Sequence, residues 1–180
     1  MTLAWLLARP SAARDGASVT LLCRTQDEAD EIARTRRTRR ATTLELPPNI
    51  TATASNDPVR DADALLIAVP SQHIRQTARG LRDAVAPGLL VVHATKGLER
   101  ESALRVSEVL REEWPHHNAG AVCALSGPNL APEIQRGLPA ATVIGCDDAS
   151  RAEAAQQLFH SGAFRAYVSG DLAGVELAGS

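Results

Sequence analysis

Short apolar runs alternate with amphipathic stretches along most of this chain, and this alternation constrains the fold more than any other feature. The runs are continuous blocks, without the strict in–out alternation of a half-exposed strand. They lie at Ser18–Cys23, Ala64–Val69, Leu89–His93, Ala121–Leu125, Ala141–Ile144 and Phe164–Val168. Continuous runs are typical of strands that are covered on both faces, as in a parallel sheet. They therefore predict a sheet buried between two layers of helices.

The stretches between the runs carry apolar residues three and four positions apart, which is the helical period. They predict helices at Gln26–Arg36, Gln72–Val85, Glu101–Trp114 and Ser150–His160. Ser150, with Glu153 three residues later, has the spacing of a capping box that would start the last of these helices. Strand–helix–strand alternation at this spacing predicts an α/β fold with a doubly wound, mostly parallel sheet.

Both ends of the chain differ from a complete domain of this class. The first helix is predicted at Thr2–Arg9, directly at the start, whereas a doubly wound nucleotide-binding domain opens with a strand and a glycine-rich turn. No G-x-G-x-x-G occurs, and the first glycine is Gly16. Asp171–Ser180 is typical of a helix that stops in mid-turn, so we expect a domain that is incomplete at both ends. Pro47–Pro48 and the Thr/Asn-rich residues around them predict a loop.

Composition excludes several classes of function. A formal net charge of −2 argues against a general binder of nucleic acids or acidic membranes. The basic block Arg34–Arg40 lacks neighbouring aromatic residues, so a solvated helix end is favoured over a nucleic-acid patch. The odd number of cysteines, three, without metal-ligand spacing, indicates a reducing compartment and no metal site. No apolar run approaches the ~20 residues that cross a bilayer, and we predict a cytoplasmic protein.

Lys96 is the strongest candidate for a functional residue. It is the single lysine among 19 Lys and Arg residues, and it directly follows the predicted strand Leu89–His93. Open α/β sheets bind ligands at the carboxyl ends of their strands. A lysine kept in a sequence that otherwise uses arginine indicates a need for a compact ammonium group. The alternative is a solvated loop lysine.

Two further strand ends carry candidate residues. Pro70 and Ser71 follow Ala64–Val69; Pro70 fixes the backbone where a flat ring could lie, and Ser71 can cap the next helix. Gly127 follows another strand and would let a ligand approach the backbone closely. Asn129 opens a helix predicted at Leu130–Arg136, whose free N–H groups suit an anion; the alternative is a simple turn with an Asn cap.

The end of the first strand and the histidines carry weaker signals. Arg24 ends the strand Ser18–Cys23, at the edge where an arginine accommodates the 2′-phosphate of NADP; it permits NADP and does not exclude NAD. His93 lies within an apolar strand and is expected in the core. The histidines form no pattern, and none is assigned a metal or catalytic role.

Three sequence motifs follow one another along the chain: ATKGLE at residues 94–99, LSGPNLA at 125–131 and GVELAG at 174–179. In this combination the chain resembles, over nearly its full length, the N-terminal NAD(P)-binding domain of the bacterial NAD(P)-dependent glycerol-3-phosphate dehydrogenases. The resemblance implies interconversion of dihydroxyacetone phosphate and glycerol 3-phosphate with NADPH or NADH, which feeds glycerophospholipid synthesis. It is compatible with a homodimer of the full-length parent.

The resemblance also implies roles for single residues. Lys96 would contact both substrate and cofactor, and Gly127 and Asn129 would fall at substrate-binding positions. Ala131 would fall at a cofactor-binding position, as would Arg24 near the adenosine phosphate and Pro70 near the nicotinamide half.

The departures from the family pattern lead to further expectations. The family's first strand and glycine fingerprint are missing, and its general acid/base lysine and helical substrate domain would follow after Ser180. Residues 1–180 would then form an incomplete NAD(P)-binding domain that is inactive by itself. Two alternatives stay open: a degenerate nucleotide- or metabolite-binding module without turnover, and a different dehydrogenase on the same scaffold.

Overall fold

The computed structural model describes residues 1–10, 15–39, 44–117 and 122–179, in which helices alternate with strands. The strands are β1 (Val19–Leu22), β2 (Ile50–Thr53), β3 (Ala64–Ile67), β4 (Leu90–His93), β5 (Val122–Ser126), β6 (Ala140–Gly145) and β7 (Phe164–Ser169). The helices are α1 (Thr2–Ala8), α2 (Gln26–Thr35), α3 (Ile74–Leu81), α4 (Val106–Glu113), α5 (Ala131–Gln135), α6 (Ala149–Phe159) and α7 (Leu172–Ala178). The predicted α/β class is confirmed. Ala121, Arg40 and Ser180, which belong to predicted segments, lie outside the described residues.

The described strands form two sheets. One is the parallel pair β1–β2, and the other has five strands in the order β3-β4-β5-β6-β7. Every neighbouring pair is parallel except β5–β6, which is antiparallel. The predicted mostly parallel pairing is therefore confirmed, but β1 and β3 belong to different sheets. Among the described strands, β1 and β3 each pair along one edge only.

The core lies on both faces of the larger sheet. Val91 and Val92 are neighbours in β4, yet Val91 packs with Ile74 and Trp114 on the α3–α4 side, whereas Val92 packs with Phe159 on the α6 side. Successive residues of a strand point to opposite faces, so both must be apolar when helices cover both faces. This is the physical origin of the continuous apolar runs in the sequence.

Helix α1 lies against both sheets. Ala8, at its end, is buried with Ile32 and Ile50 beside the β1–β2 pair. Leu3 and Leu6, on the same helix, pack against the core beneath α6. The helix therefore links the two sheets through its apolar side chains.

Strand β2 was not predicted, since the residues around Pro47–Pro48 were expected to form a loop. In the strand Ile50–Thr53, Ile50 is fully buried and the following residues are partly or fully exposed. A four-residue strand with two threonines at the side of a two-stranded sheet has too little apolar content for its pattern to be distinguished from a turn. Parallel pairing with β1, with Val19 opposite Ile50, makes it a strand.

The predicted capping box of Ser150 and Glu153 is wrong. Asp148 is the N-cap of α6, and its Oδ1 accepts a hydrogen bond of 3.1 Å from the backbone N–H of Arg151. Ser150 lies inside the helix and donates its hydroxyl to the same carboxylate at 2.6 Å. An aspartate two residues earlier thus supplies the acceptor that Ser150 was expected to supply.

Two other helices are shorter than predicted. Helix α4 begins at Val106 and not at Glu101, because Ala103 has a left-handed backbone with φ +57°, which a helix does not contain. The stretch that begins at Gln72 starts with a 3-10 turn over Ser71–His73, and regular α-helix follows only from Ile74. Ser71 makes no side-chain capping bond there, so its predicted capping role is wrong.

An ion-pair group joins α3 to α4. The side chain of Glu113 is only 5% exposed and accepts hydrogen bonds from Arg75, Arg79 and Arg82 at 2.8–3.1 Å. Burial by itself would raise the pKa of Glu113, but the guanidinium groups of Arg79 and Arg75 outweigh it and hold the pKa below its ordinary value. Glu113 is therefore ionised, and its buried negative charge is the shared partner of the three guanidinium groups.

We expect Glu113→Gln to lower the free energy of unfolding by about 3 kcal/mol, because it leaves several guanidinium groups without their shared carboxylate. Urea unfolding at neutral pH measures the loss. Glu112→Gln is the matched control: Glu112 is adjacent, also binds Arg75, and is 54% exposed, so about 0.5 kcal/mol is expected. Since the folded-state pKa of Glu113 is depressed, the gap between wild type and Glu113→Gln is complete above about pH 4.3 and closes as the pH falls further. Equal losses for both variants would contradict the prediction.

Candidate functional site

The carboxyl ends of β3, β4 and β5 meet at one edge of the larger sheet, because these strands are parallel. Lys96 follows β4 at this edge, and its Nζ donates a hydrogen bond of 2.8 Å to Ser126 Oγ at the end of β5. The peptide oxygen of Ser126 accepts the hydroxyl of Thr142 at 2.9 Å, and Thr142 Oγ1 in turn accepts Asn129 Nδ2 at 3.0 Å. We call Lys96, Ser126, Asn129 and Thr142 the strand-end cluster.

The loop that carries Lys96 is tied to the neighbouring strand. Ala94 donates its N–H to the oxygen of Ile67, and Thr95 donates its hydroxyl to the oxygen of Val69, each at 2.8 Å. Gly97 then turns the chain with φ +87°, a left-handed conformation that favours glycine. Partial burial of the Lys96 side chain lowers the pKa of its ammonium group. The loop therefore presents Lys96 from a fixed backbone.

Gly127 is required by close packing. A Cβ at this position would lie 2.7 Å from the oxygen of Ala141 and 3.1 Å from the Cα of Thr142, both in β6. Only glycine lets the turn after β5 approach the neighbouring strand so closely. This approach places Asn129 within reach of Thr142.

The prediction that Asn129 opens a helix at Leu130–Arg136 is wrong. Helix α5 begins at Ala131 and has five residues, with Leu130 at the N-cap position and no side-chain capping bond. The amide of Asn129 is directed to Thr142, and its Oδ1 is buried without a hydrogen-bond partner among the described residues. Asn129 therefore presents a free acceptor within the strand-end cluster.

The end of α7 covers the same cluster. A Cβ at Gly179 would overlap Ser126 Oγ and lie 2.9 Å from Lys96 Nζ. The backbone of Gly179 thus lies directly on the Lys96–Ser126 pair. The GVELAG segment and the ATKGLE segment, 80 residues apart in the chain, meet at this point.

The other predicted site residues lie outside this hydrogen-bonded group. Arg24 is exposed just after β1, in the smaller sheet, and its N–H donates to Glu28 Oε2 at 3.3 Å. Pro70 is exposed after β3, and Ala131 is exposed at the start of α5. The structure thus brings together Lys96, Gly127 and Asn129, whereas Arg24, Pro70 and Ala131 lie at the ends of other elements and make no hydrogen bond to this group among the described residues.

Ser126 and Thr142 were missed by sequence reasoning. Ser126 belongs to the LSGPNLA motif, but nothing in the neighbouring sequence indicates that its hydroxyl accepts a hydrogen bond from Lys96. Thr142 is a buried hydroxyl, 1% exposed, within the apolar run of β6. A buried polar residue in an apolar strand needs a partner, and this is the one signal that could have found it.

Other candidate groups are accounted for structurally. His93 is buried as expected, 2% exposed. Cys123 and Cys146 are buried in the core beneath α6 and form no disulfide, and Cys146 contacts the oxygen of Val122. Within the described ranges, no group of three or more His, Cys, Asp or Glu side chains is arranged to hold a metal ion. No helix there is long and apolar enough to cross a membrane.

Comparison with known proteins decides the family. Residues 1–152 match the family described as NAD-dependent glycerol-3-phosphate dehydrogenase N-terminus. The chain belongs to this family. The resemblance carried by ATKGLE, LSGPNLA and GVELAG is confirmed.

Relatives within the glycerol-3-phosphate dehydrogenase family extend the match along the chain. The glycerol-3-phosphate dehydrogenase [NAD(P)+] of Desulfitobacterium hafniense is 36% identical over 94% of this chain and 48% of its own length. The protein of the same description from Chlorobium limicola is also 36% identical, over 99% of this chain and 53% of its own length. The chain therefore spans about half the length of the curated relatives it matches.

Solved structures agree with this assignment. The glycerol-3-phosphate dehydrogenase of Coxiella burnetii superposes with a TM-score of 0.86 and 26% identity, over 99% of this chain and 53% of that one. A ketopantoate reductase from Ralstonia eutropha superposes with a TM-score of 0.67 at 21% identity, over 98% of this chain and 55% of that one. The second likeness concerns the fold alone, which several dehydrogenases share.

Proposed function

We propose that this chain contributes the cofactor-binding half of an enzyme that interconverts glycerol 3-phosphate and dihydroxyacetone phosphate with NADP(H) or NAD(H). The observation that carries the proposal is the Lys96–Ser126 hydrogen bond of 2.8 Å at the carboxyl edge of the sheet. A compact ammonium group beside a hydroxyl suits a small, anionic, oxygen-rich substrate. Membership of the family supports the choice of a three-carbon phosphate.

Within this proposal Lys96 binds the substrate and polarises its carbonyl oxygen. Asn129 offers its unpartnered Oδ1 to a substrate hydroxyl, and Gly127 lets the substrate lie against the backbone. An acid must protonate the carbonyl oxygen during reduction, and we assign that acid to the half of the relatives that this chain does not match. Residues 1–180 then act as an NAD(P)-binding domain beside a helical substrate domain.

The residues present fit part of a dinucleotide. Arg24 and Lys96 are cations at strand ends, which suits the phosphates of the cofactor, and Pro70 and Ala131 are exposed at the ends of other elements. The glycine-rich turn that cradles a pyrophosphate does not occur in the sequence. A bound nicotinamide would supply or accept the hydride. Arg24 would hold the adenosine phosphate, Pro70 would face the nicotinamide half, and Lys96 and Ala131 would complete the cofactor site.

We infer the cellular location, the oligomeric state and the metabolic role of the whole enzyme from its family. We assign the whole enzyme to the cytoplasm as a homodimer that supplies glycerol 3-phosphate for glycerophospholipid synthesis. The net charge of −2 supports the absence of a nucleic-acid partner. Size-exclusion chromatography with light scattering, on the chimera described next, measures the oligomeric state.

A chimera tests the activity. Residues 1–179 of this chain replace the matching segment of the Chlorobium limicola relative, and that protein's own residues before and after the segment are kept, so that the family's glycine-rich turn is supplied upstream. We expect oxidation of NADPH with dihydroxyacetone phosphate and little with dihydroxyacetone, which lacks the phosphate. Cofactor binding without turnover would favour a non-catalytic module, and preference for ketopantoate would favour a different dehydrogenase.

Arg24→Ala in the chimera is expected to weaken NADPH binding about tenfold and to leave NADH binding nearly unchanged. Only NADPH carries the 2′-phosphate that a guanidinium at this strand end would bind, and a charge-assisted hydrogen bond is worth about 1.5–3 kcal/mol. Titration of cofactor fluorescence measures both dissociation constants. Equal losses for the two cofactors would show that Arg24 has another role.

A further inference from the structure

We propose that Glu176 is a positioning residue for Lys96: it holds α7 in the one register that places the Gly179 backbone on the Lys96–Ser126 pair. The inference rests on the proposed function for its catalytic consequence, but its test needs neither substrate nor cofactor. Glu176 lies within the GVELAG motif, and the sequence by itself assigns it no role of its own.

The carboxylate of Glu176 lies among donors from two other elements. Its Oε1 accepts the backbone N–H of Ser107 at 2.8 Å, and its Oε2 accepts the Ser107 hydroxyl at 2.7 Å. Arg105 donates from Nη1 to Oε2 at 2.8 Å. His93 Nε2, in β4, lies 3.2 Å from Oε1. One side chain of α7 is therefore bonded to the start of α4 and contacts the strand that leads to Lys96.

Burial makes this arrangement specific. The side chain of Glu176 is 4% exposed, and desolvation alone would raise its pKa. The contact with His93 and the hydrogen bonds from Ser107 outweigh desolvation and lower the pKa of Glu176, so the group is a carboxylate. The groups that face it and can carry charge are His93 and Arg105, and Arg105 also pairs with Glu108 at 2.9 Å. A rotation or shift of α7 would leave a buried charge without partners, which is strongly unfavourable.

The position of Gly179 follows from this anchor. Gly179 is three residues after Glu176, about one helical turn along α7. Val175, next to Glu176, seats against Gly145 of β6, where an added Cβ would lie 2.7 Å from Val175 Cβ. Anchored on both sides, the helix ends on Lys96, and a Cβ at Gly179 would lie 2.9 Å from Lys96 Nζ. The covering backbone removes water from one side of the ammonium group, in agreement with its lowered pKa.

The unique lysine makes the test direct. Because Lys96 is the only lysine of the chain, incorporation of ¹³C-lysine gives one reporter whose pKa is read by NMR titration. In the 180-residue protein at low temperature, Glu176→Gln is expected to raise the pKa of Lys96 towards that of a free lysine, about 10.4. Hydrogen exchange should show at least about a tenfold loss of protection in α7, with β4 and β5 unchanged. The control Glu153→Gln, an exposed glutamate on α6, should change neither readout.

Two results would overturn the proposal: loss of protection in α7 with the pKa of Lys96 unchanged, or no change in either readout. Ser107→Ala, which removes only the hydroxyl donor, keeps the test decisive if Glu176→Gln does not fold, and the same changes are then expected at smaller size. An inactive chimera together with a responsive Lys96 would reject the proposed function and keep this inference. An active chimera with an unresponsive Lys96 would do the reverse.

Discussion

Lys96→Ala is expected to lower kcat/KM for dihydroxyacetone phosphate about a thousandfold in the chimera, equivalent to about 4 kcal/mol of transition-state stabilisation. Lys96 is the only lysine, it extends from a loop that is hydrogen-bonded to Ile67 of β3, and it reaches the end of β5 through Ser126. The loss of an ammonium group that polarises a carbonyl oxygen removes an interaction that strengthens as negative charge develops there. The effect should therefore appear in kcat as well as in KM.

Two companion variants separate charge from shape. Lys96→Arg keeps the charge but puts a planar fork where the cluster receives a single ammonium nitrogen, and more than a tenfold loss is expected. Arg100→Ala removes an exposed cation four residues later and should leave kcat/KM within about twofold, because that side chain belongs to a solvated turn. Near-normal kinetics of Lys96→Ala would remove Lys96 from the site.

The 180-residue chain by itself is expected to show no dehydrogenase activity, to bind NADPH with a Kd weaker than about 1 mM, and to unfold below about 45 °C. In the part of the chain that the structure describes, the strands fall into two sheets, and β1 and β3 each pair along one edge only. The unpaired edge of β3 belongs to a strand that contains Leu65 and Ile67. Open apolar edges destabilise a sheet and favour wrong pairing and aggregation.

Cofactor affinity should be low for a separate reason. Without a glycine-rich turn in the sequence, no cradle of backbone N–H groups is available for the pyrophosphate, and Arg24 and Lys96 alone supply two point contacts. NADPH fluorescence titration and thermal unfolding followed by circular dichroism measure both quantities, and the chimera is the matched control that carries the missing turn. A sharp transition at high temperature together with micromolar affinity would show that another segment, for instance Met1–Arg9, completes the sheet and the cradle.

The sequence by itself determined the fold class, the family and the position of Lys96. Each depends on local order along the chain: the apolar blocks that become strands covered on both faces, as Val91 and Val92 show, and the motifs that follow them. A residue directly after a parallel strand must lie at the carboxyl edge of the sheet, whichever strand is its neighbour. Lys96 could therefore be placed without knowledge of the strand order.

Only the tertiary structure decided which groups meet Lys96 and what holds them. Asn129 turns to Thr142 and not to a helix end, because Gly127 lets β6 approach closely. Glu176 finds its donors at the start of α4, about 70 residues earlier in the chain, and it contacts His93 of β4. Such contacts depend on strand order and on how helices cross the sheet, and helical or strand periodicity records only which face of an element is buried. The partner of a buried polar side chain is set by packing between distant segments, so it becomes visible only in the folded chain.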